Sequence, residues 1–218
     1  MKIEYQITDT AASNKELLAH IEKVEKFSFI NKVTVLPSCL KYLKSRKPER
    51  IKLSTIIDFP LGLNSTAVRL ACIKEAITNG AESIEIVMQS AYITNKNNPK
   101  IKEDIEQCLQ LCSDNGVNLH YMTEYRLYNY GCLSRLTKFL LNSNLNDIYI
   151  STGHRLDNIY DHIIAIAMIL KENPEANIIC NANIYSQEHL DLLQESKIQQ
   201  FRANSLNTLS LVSKKYSF

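Results

Sequence analysis

Just past an apolar run from Asp147 to Ser151 the chain reads Gly153-His154-Arg155, an imidazole and a guanidinium where a strand gives way to a loop. Imidazole titrates nearest neutral pH, and beside a guanidinium it suits anion contact or proton transfer. Asp9, Asp58, Thr123 and Glu124 stand at comparable points after other β-rich runs, so polar groups gather where strands end. Asn204-Ser205 precedes a helical run from Leu206 and can cap it, with amide and hydroxyl donors at that end too. Glu85 and Tyr149 lie inside two of the runs. Together with His154 they could perform general acid–base chemistry, which needs only suitably placed donors and acceptors. The sequence has no Ser-His-Asp order, no glycine-rich dinucleotide fingerprint and no P-loop. Its six cysteines form no Cys-x-x-Cys pair and have no histidine at zinc spacing, so neither a metal nor another cofactor is expected. Cys108 and Cys112, four apart on a helical run, read as small apolar side chains facing one core.

The elements that must position these residues alternate strictly. Strands are expected at Ile3 to Thr8, Lys32 to Leu36, Ile51 to Asp58, Ser83 to Met88, Asn118 to Thr123, Asp147 to Ser151, Asn177 to Asn181 and Ile198 to Ala203. Helices are expected from a capping box at Ser13 to Glu16 through Phe27, then at Leu40 to Arg46, Ser65 to Asn79, Lys102 to Asn115, Leu133 to Ser143, Asp157 to Glu172, Gln187 to Glu195 and Leu206 to Lys214. Asn95 to Pro99 reads as a loop insertion. Gly80 and Gly116, each between a helix and a strand, read as left-handed helix ends. Strand followed by helix throughout predicts a single (β/α)₈ barrel of class α/β over residues 1–218, with its chemistry where strands run into the following loops.

Several motifs sit at matching places in one known family. Phe59-Pro60-Leu61-Gly62 follows the third strand; a helix with Lys74-Glu75-Ala76-Ile77 leads to Gly80-Ala81 and the strand Ile84-Glu85-Ile86-Val87; Ser151-Thr152-Gly153 ends the sixth strand. In these features the chain resembles the deoxyribose-phosphate aldolases, class I aldolase barrels, over about its whole length. The resemblance implies a pocket for a small molecule such as a phosphorylated sugar or an aldehyde. It also implies that the fourth-strand carboxylate is Glu85 in place of aspartate, and that Tyr149 occupies the place of the Schiff-base lysine. The second lysine, whose charge activates the first, is replaced by Ile179, and the first-strand aspartate falls near Gln6. A phenol forms no imine, so the chain is expected to be inactive as a Schiff-base aldolase. The family's phosphate contacts correspond to Gly153, to Ala182-Asn183 in place of two glycines, and to Asn204-Ser205 in place of two serines. Lys32, Lys52 and Lys197 fall within or at the start of strands, near the opposite end of the barrel or pointing outward, so none is a good replacement amine.

Two other function classes stay open beside this one: a lyase or isomerase using Glu85, Tyr149 and His154 without an imine, and a noncatalytic binding or scaffold subunit. The 218 residues carry 25 basic and 23 acidic side chains, a formal net charge of +2, which offers no field for nucleic acid or a membrane surface. No run approaches the roughly 20 apolar residues of a membrane helix, and the charged start Met1-Lys2-Ile3-Glu4 is not a secretory segment, so a cytoplasmic location is expected. A homodimer is compatible with the resemblance.

Overall fold

The structure is a computed structural model that describes residues 2–155, 158–196 and 198–216. Eight strands, β1 Lys2–Ile7, β2 Lys32–Val35, β3 Lys52–Ile57, β4 Ser83–Val87, β5 Asn118–Met122, β6 Asp147–Tyr149, β7 Asn177–Ile179 and β8 Gln200–Ala203, pair in parallel in the order β7-β6-β5-β4-β3-β2-β1-β8. The ring closes between β7 and β8. There the Cys180 N–H donates to the Gln200 carbonyl at 3.1 Å, and the Arg202 N–H donates to the Cys180 carbonyl at 2.8 Å. Around the barrel lie α1 Asn14–Glu25, α2 Leu40–Leu43, α3 Thr66–Thr78, α4 Ser90–Thr94, α5 Asn98–Asp114, α6 Tyr130–Leu141, α7 Ile159–Glu172, α8 Gln187–Glu195 and α9 Leu206–Tyr216. This is the expected (β/α)₈ barrel. No helix among the described residues is long and apolar enough to cross a membrane.

Local chemistry sets the helix starts. Ser13 and Glu16 form the reciprocal capping box, with the Ser13 N–H donating to Glu16 Oε2 at 2.8 Å and the Glu16 N–H donating to Ser13 Oγ at 3.3 Å. α5 begins four residues before the expected Lys102, because Asn97 accepts from the Lys100 N–H at 3.2 Å and Pro99 fits the first turn, where its missing N–H costs nothing. The segment read as a loop is a turn and helix cap over Asn95 to Asn97 that runs into the helix at Asn98 and Pro99. α6 likewise opens early on Asn129, whose Oδ1 accepts from the Cys132 N–H at 2.9 Å. Replacing that cap by alanine, Asn129→Ala, is expected to lower stability by about 1 kcal/mol, read as a shift in the denaturation midpoint with unchanged slope. The expected helix start at Asp157 lies outside the described residues. Gly80 and Gly116 do take positive φ, 97° and 67°.

Helix faces and outward strand residues make one large core, in which Cys108 and Cys112 are fully buried. The inward residues of the strands make a second system. The parallel registers, combined with the shift of one residue per strand that closes such a barrel, sort the inward side chains into tiers. Lys32, Ser83, Asp147 and Gln200 lie nearest the N-terminal end. Glu4, Ser54, His120 and Ile179 come next, followed by Thr34, Glu85, Tyr149 and Arg202. Gln6, Ile56, Met122 and Asn181 lie nearest the mouth. The apolar members Ile56, Val87, Met122, Tyr149 and Ile179 pack as a separate cluster with Phe59 against it.

Candidate active site

The third tier carries charge that water does not reach. Glu85 is 0% exposed, and its Oε1 accepts from Thr34 Oγ1 at 2.9 Å, Ser54 Oγ at 3.0 Å and Arg202 Nη2 at 2.6 Å. Lys32 Nζ lies 3.5 Å from the same oxygen and 3.0 Å from Glu4 Oε1. Arg202 also reaches Glu4 Oε2 at 3.3 Å and donates from Nη1 to Gln6 Oε1 at 3.0 Å, while its guanidinium stacks on the Tyr149 ring at 3.9 Å. The Tyr149 hydroxyl donates to Glu4 and accepts from Lys32 Nζ at 2.8 Å. Two carboxylates and two cations thus neutralise each other around one phenol. Burial alone would raise the Glu4 pKa, but Lys32 and Arg202 outweigh it and hold the group at about 2. Burial opposes ionisation of Glu85 as well, and Arg202 and then Lys32 bring its pKa below the ordinary range. Burial, in the first place, pushes the Tyr149 phenol well up.

Tyr149 and Ile179 both face the interior, as their correspondence to the two lysines implies, yet the surroundings differ from the sequence expectation. Cations do stand beside Tyr149: Arg202 and Lys32, which come from strands other than β7. Lys32 points inward at the N-terminal end of the barrel, and Lys52 is exposed. Lys197 lies outside the described residues. Sequence reasoning missed Glu4, Lys32 and Arg202; the available signal was alternation, because Glu4 and Gln6 alternate with Ile3, Tyr5 and Ile7, and Arg202 sits between Phe201 and Ala203.

Above this layer a cavity of about 400 Å³ opens at the C-terminal mouth. Gln6, Asn181 and Arg202 line it together with Thr8, Thr10 and Asn204, and Leu36, Phe59 and Pro60 contribute apolar surface. Gly153 and His154 are on its rim, both exposed, with the His154 ring edge-on to Phe59 at 6.0 Å between centroids. Asn204 donates to the Asn183 side chain, and Ser205 next to it caps α9, its Oγ accepting from the Thr208 N–H at 3.2 Å. Gly153, Asn183, Asn204 and Ser205 are thereby brought to one region, whereas His154 on the rim is separated from Glu85 and Tyr149 in the closed interior. Asp58 turns away from the mouth. Its carboxylate takes the Leu63 and Asn64 N–H groups, each at 3.1 Å, and Arg69 Nε of α3 at 3.0 Å. Glu124 is engaged through one oxygen, Oε2 accepting from the Thr152 N–H at 3.2 Å and its hydroxyl at 2.7 Å, while Oε1 is buried without a hydrogen-bond partner.

Gly62, in the turn after Phe59-Pro60, packs against the end of β4. At φ 64° its Cα has no room for a side chain, since a Cβ would stand 2.1 Å from the Met88 carbonyl oxygen. A second hollow of about 600 Å³ lies at the opposite end, lined by Asn118, His120, Asp147 and neighbouring turns. The mouth is the better candidate, because ligands of such barrels meet the loops that follow the strands. Among the described residues, no group of three His, Cys, Asp or Glu side chains is arranged to hold a metal.

The fold and its mouth define a parallel (β/α)₈ barrel with a neutralised ionic interior. No family model matches the chain. A deoxyribose-phosphate aldolase of Metamycoplasma hominis is 28% identical over 152 residues, 69% of this chain and 69% of its own length. One from Clostridium botulinum is 30% identical over 109 residues, so the chain spans about half of that relative, 51%. Among solved structures, the aldolase QR15 superposes with a TM-score of 0.85 at 19% identity, covering 99% of this chain and 95% of that one. A deoxyribose phosphate aldolase from Aeropyrum pernix, described as tetrameric, gives 0.82 at 16% identity, covering 100% and 91%. The chain is similar in sequence to deoxyribose-phosphate aldolases and shares the fold of the solved aldolase structures.

Proposed function

We propose that this chain binds a small molecule at the mouth of its barrel and does not catalyse Schiff-base aldol chemistry. The observation that carries the reading is the setting of Tyr149. A phenol stands where the resemblance places the reactive amine, and it is directed down into Glu4 and Lys32, away from the mouth. Lys32, the one lysine found inside the barrel among the described residues, is held by two carboxylates at 3.0 and 3.5 Å and donates to the Tyr149 hydroxyl, so its nitrogen is engaged below the mouth and does not face a carbonyl bound there. Imine-independent acid–base catalysis has less support. Glu85 is closed off beneath Arg202, and the raised pKa of Tyr149 makes it a poor acid and base at neutral pH.

Borohydride reduction in the presence of acetaldehyde or deoxyribose 5-phosphate, followed by intact mass, is expected to leave the mass of the chain unchanged. A stoichiometric adduct mapped to any lysine would end this reading.

A further inference from the structure

At the positions that correspond to a phosphate site, the donors of the mouth already have partners. The Gly153 N–H donates to Ser151 Oγ at 2.9 Å and the His154 N–H to Thr152 Oγ1 at 3.2 Å. The Asn204 amide donates to Asn183, and Ser205 Oγ lies 2.9 Å from Thr208 Oγ1. Arg202, the cation in the cavity floor, has its charge matched by Glu85 and Glu4, and only its buried Nε lacks an acceptor, so the floor offers an anion little net attraction.

What the cavity does present is a wall of uncharged hydroxyls and amides in Thr8, Thr10 and Asn204, and apolar surface in Leu36, Phe59 and Pro60. Hydroxyls and amides select hydrogen-bonding groups, while an aromatic ring and a proline cover C–H surface. The geometry points to an uncharged sugar or polyol as the ligand, lying with its C–H surface on Phe59 and Pro60 and its hydroxyls on Thr8, Thr10 and Asn204. The inference rests on the mouth being a small-molecule site and goes beyond it by assigning the ligand's charge.

Calorimetric titration of the full chain with 2-deoxyribose, 2-deoxyribose 5-phosphate and inorganic phosphate tests it. The free sugar is expected to bind within about threefold of its phosphate ester, inorganic phosphate is expected not to displace it, and added salt is expected to leave its Kd unchanged. Phe59→Ala is expected to weaken binding of the sugar about tenfold. Thr10→Val, which removes one exposed hydroxyl at nearly constant shape and leaves the fold intact, is expected to weaken it about three- to tenfold. An ester that binds more than tenfold tighter than the sugar and is displaced by inorganic phosphate would overturn the uncharged-ligand assignment while leaving the small-molecule reading in place. Failure of all three probes to bind would overturn both. A sugar affinity unaltered in both variants would move the ligand away from this wall and overturn the assignment.

Discussion

Arg202→Met is expected to lower the unfolding free energy by about 3–5 kcal/mol. The guanidinium is fully buried and is the nearest cation to Glu85, at 2.6 Å, so its loss strands a carboxylate that has no water to turn to. Lys32, 3.5 Å from Glu85 and 3.0 Å from Glu4, would be left to balance two negative charges. Adding Glu85→Gln should recover part of the loss, because the amide fits the space without the charge; the double-mutant cycle measures that coupling. Acid should act on the same groups. Glu4, at about 2, and Glu85, lowered by Arg202 and Lys32, both titrate below the unfolded value near 4.5. Their contribution is therefore complete above about pH 4.5 and is lost as the pH falls towards 2; for Glu4 alone it is on the order of 3 kcal/mol. Urea titrations at stepped pH read both effects. An Arg202→Met loss below about 1 kcal/mol would show that the interior relaxes around the missing charge.

Deoxyribose 5-phosphate should not be cleaved by the wild type, and Tyr149→Lys should stay within about tenfold of background. A lysine with its reference pKa near 10.4 needs desolvation or unbalanced positive charge to become a nucleophile. At this position it would find positive charge in Arg202 and Lys32, but also Glu4 and Glu85, which neutralise them. The substitution also removes the ring on which Arg202 stacks at 3.9 Å. Adding Ile179→Lys to Tyr149→Lys supplies a cation without a carboxylate of its own and tests whether charge balance is what limits the single variant. Retro-aldol rates of the three proteins decide this. Rapid cleavage by Tyr149→Lys alone would refute the argument from charge balance.

The barrel was legible because its signals are local. Ser83 begins a strand where the alternation begins, and Gln187–Glu195 is a helix with the expected bounds. The strand ends were read too long: the Ser151 hydroxyl accepts from the Gly153 N–H within the turn, and the Asn181 side-chain amide donates across to the Ser151 carbonyl in place of a ladder bond. The ionic interior was not legible, for a physical reason. Glu4 and Arg202 meet across 198 positions of chain, and only the closure of β8 onto β1 brings them together. Glu85 could be recognised as a carboxylate needing either a ligand or an ion pair, but naming its partner required knowing that the closed ring sets the inward residue of β8 in the same tier. His154 was located correctly at a strand end, yet nothing in the sequence distinguishes a rim residue from one that enters the interior.

The hydrogen-bonded route down from the mouth runs from Gln6 to Arg202 and on to Glu85. An amide and a guanidinium both keep their protons, so this route is an insulator rather than a wire. At the other end Lys32 retains 13% of its side-chain surface in contact with solvent, beside Glu4 and Glu85. The N-terminal end is therefore the side from which solvent comes nearest to the ionised groups. A ligand seated at the mouth would lie against Gln6 and Arg202 and leave the exposed edge of Lys32 at the other end uncovered.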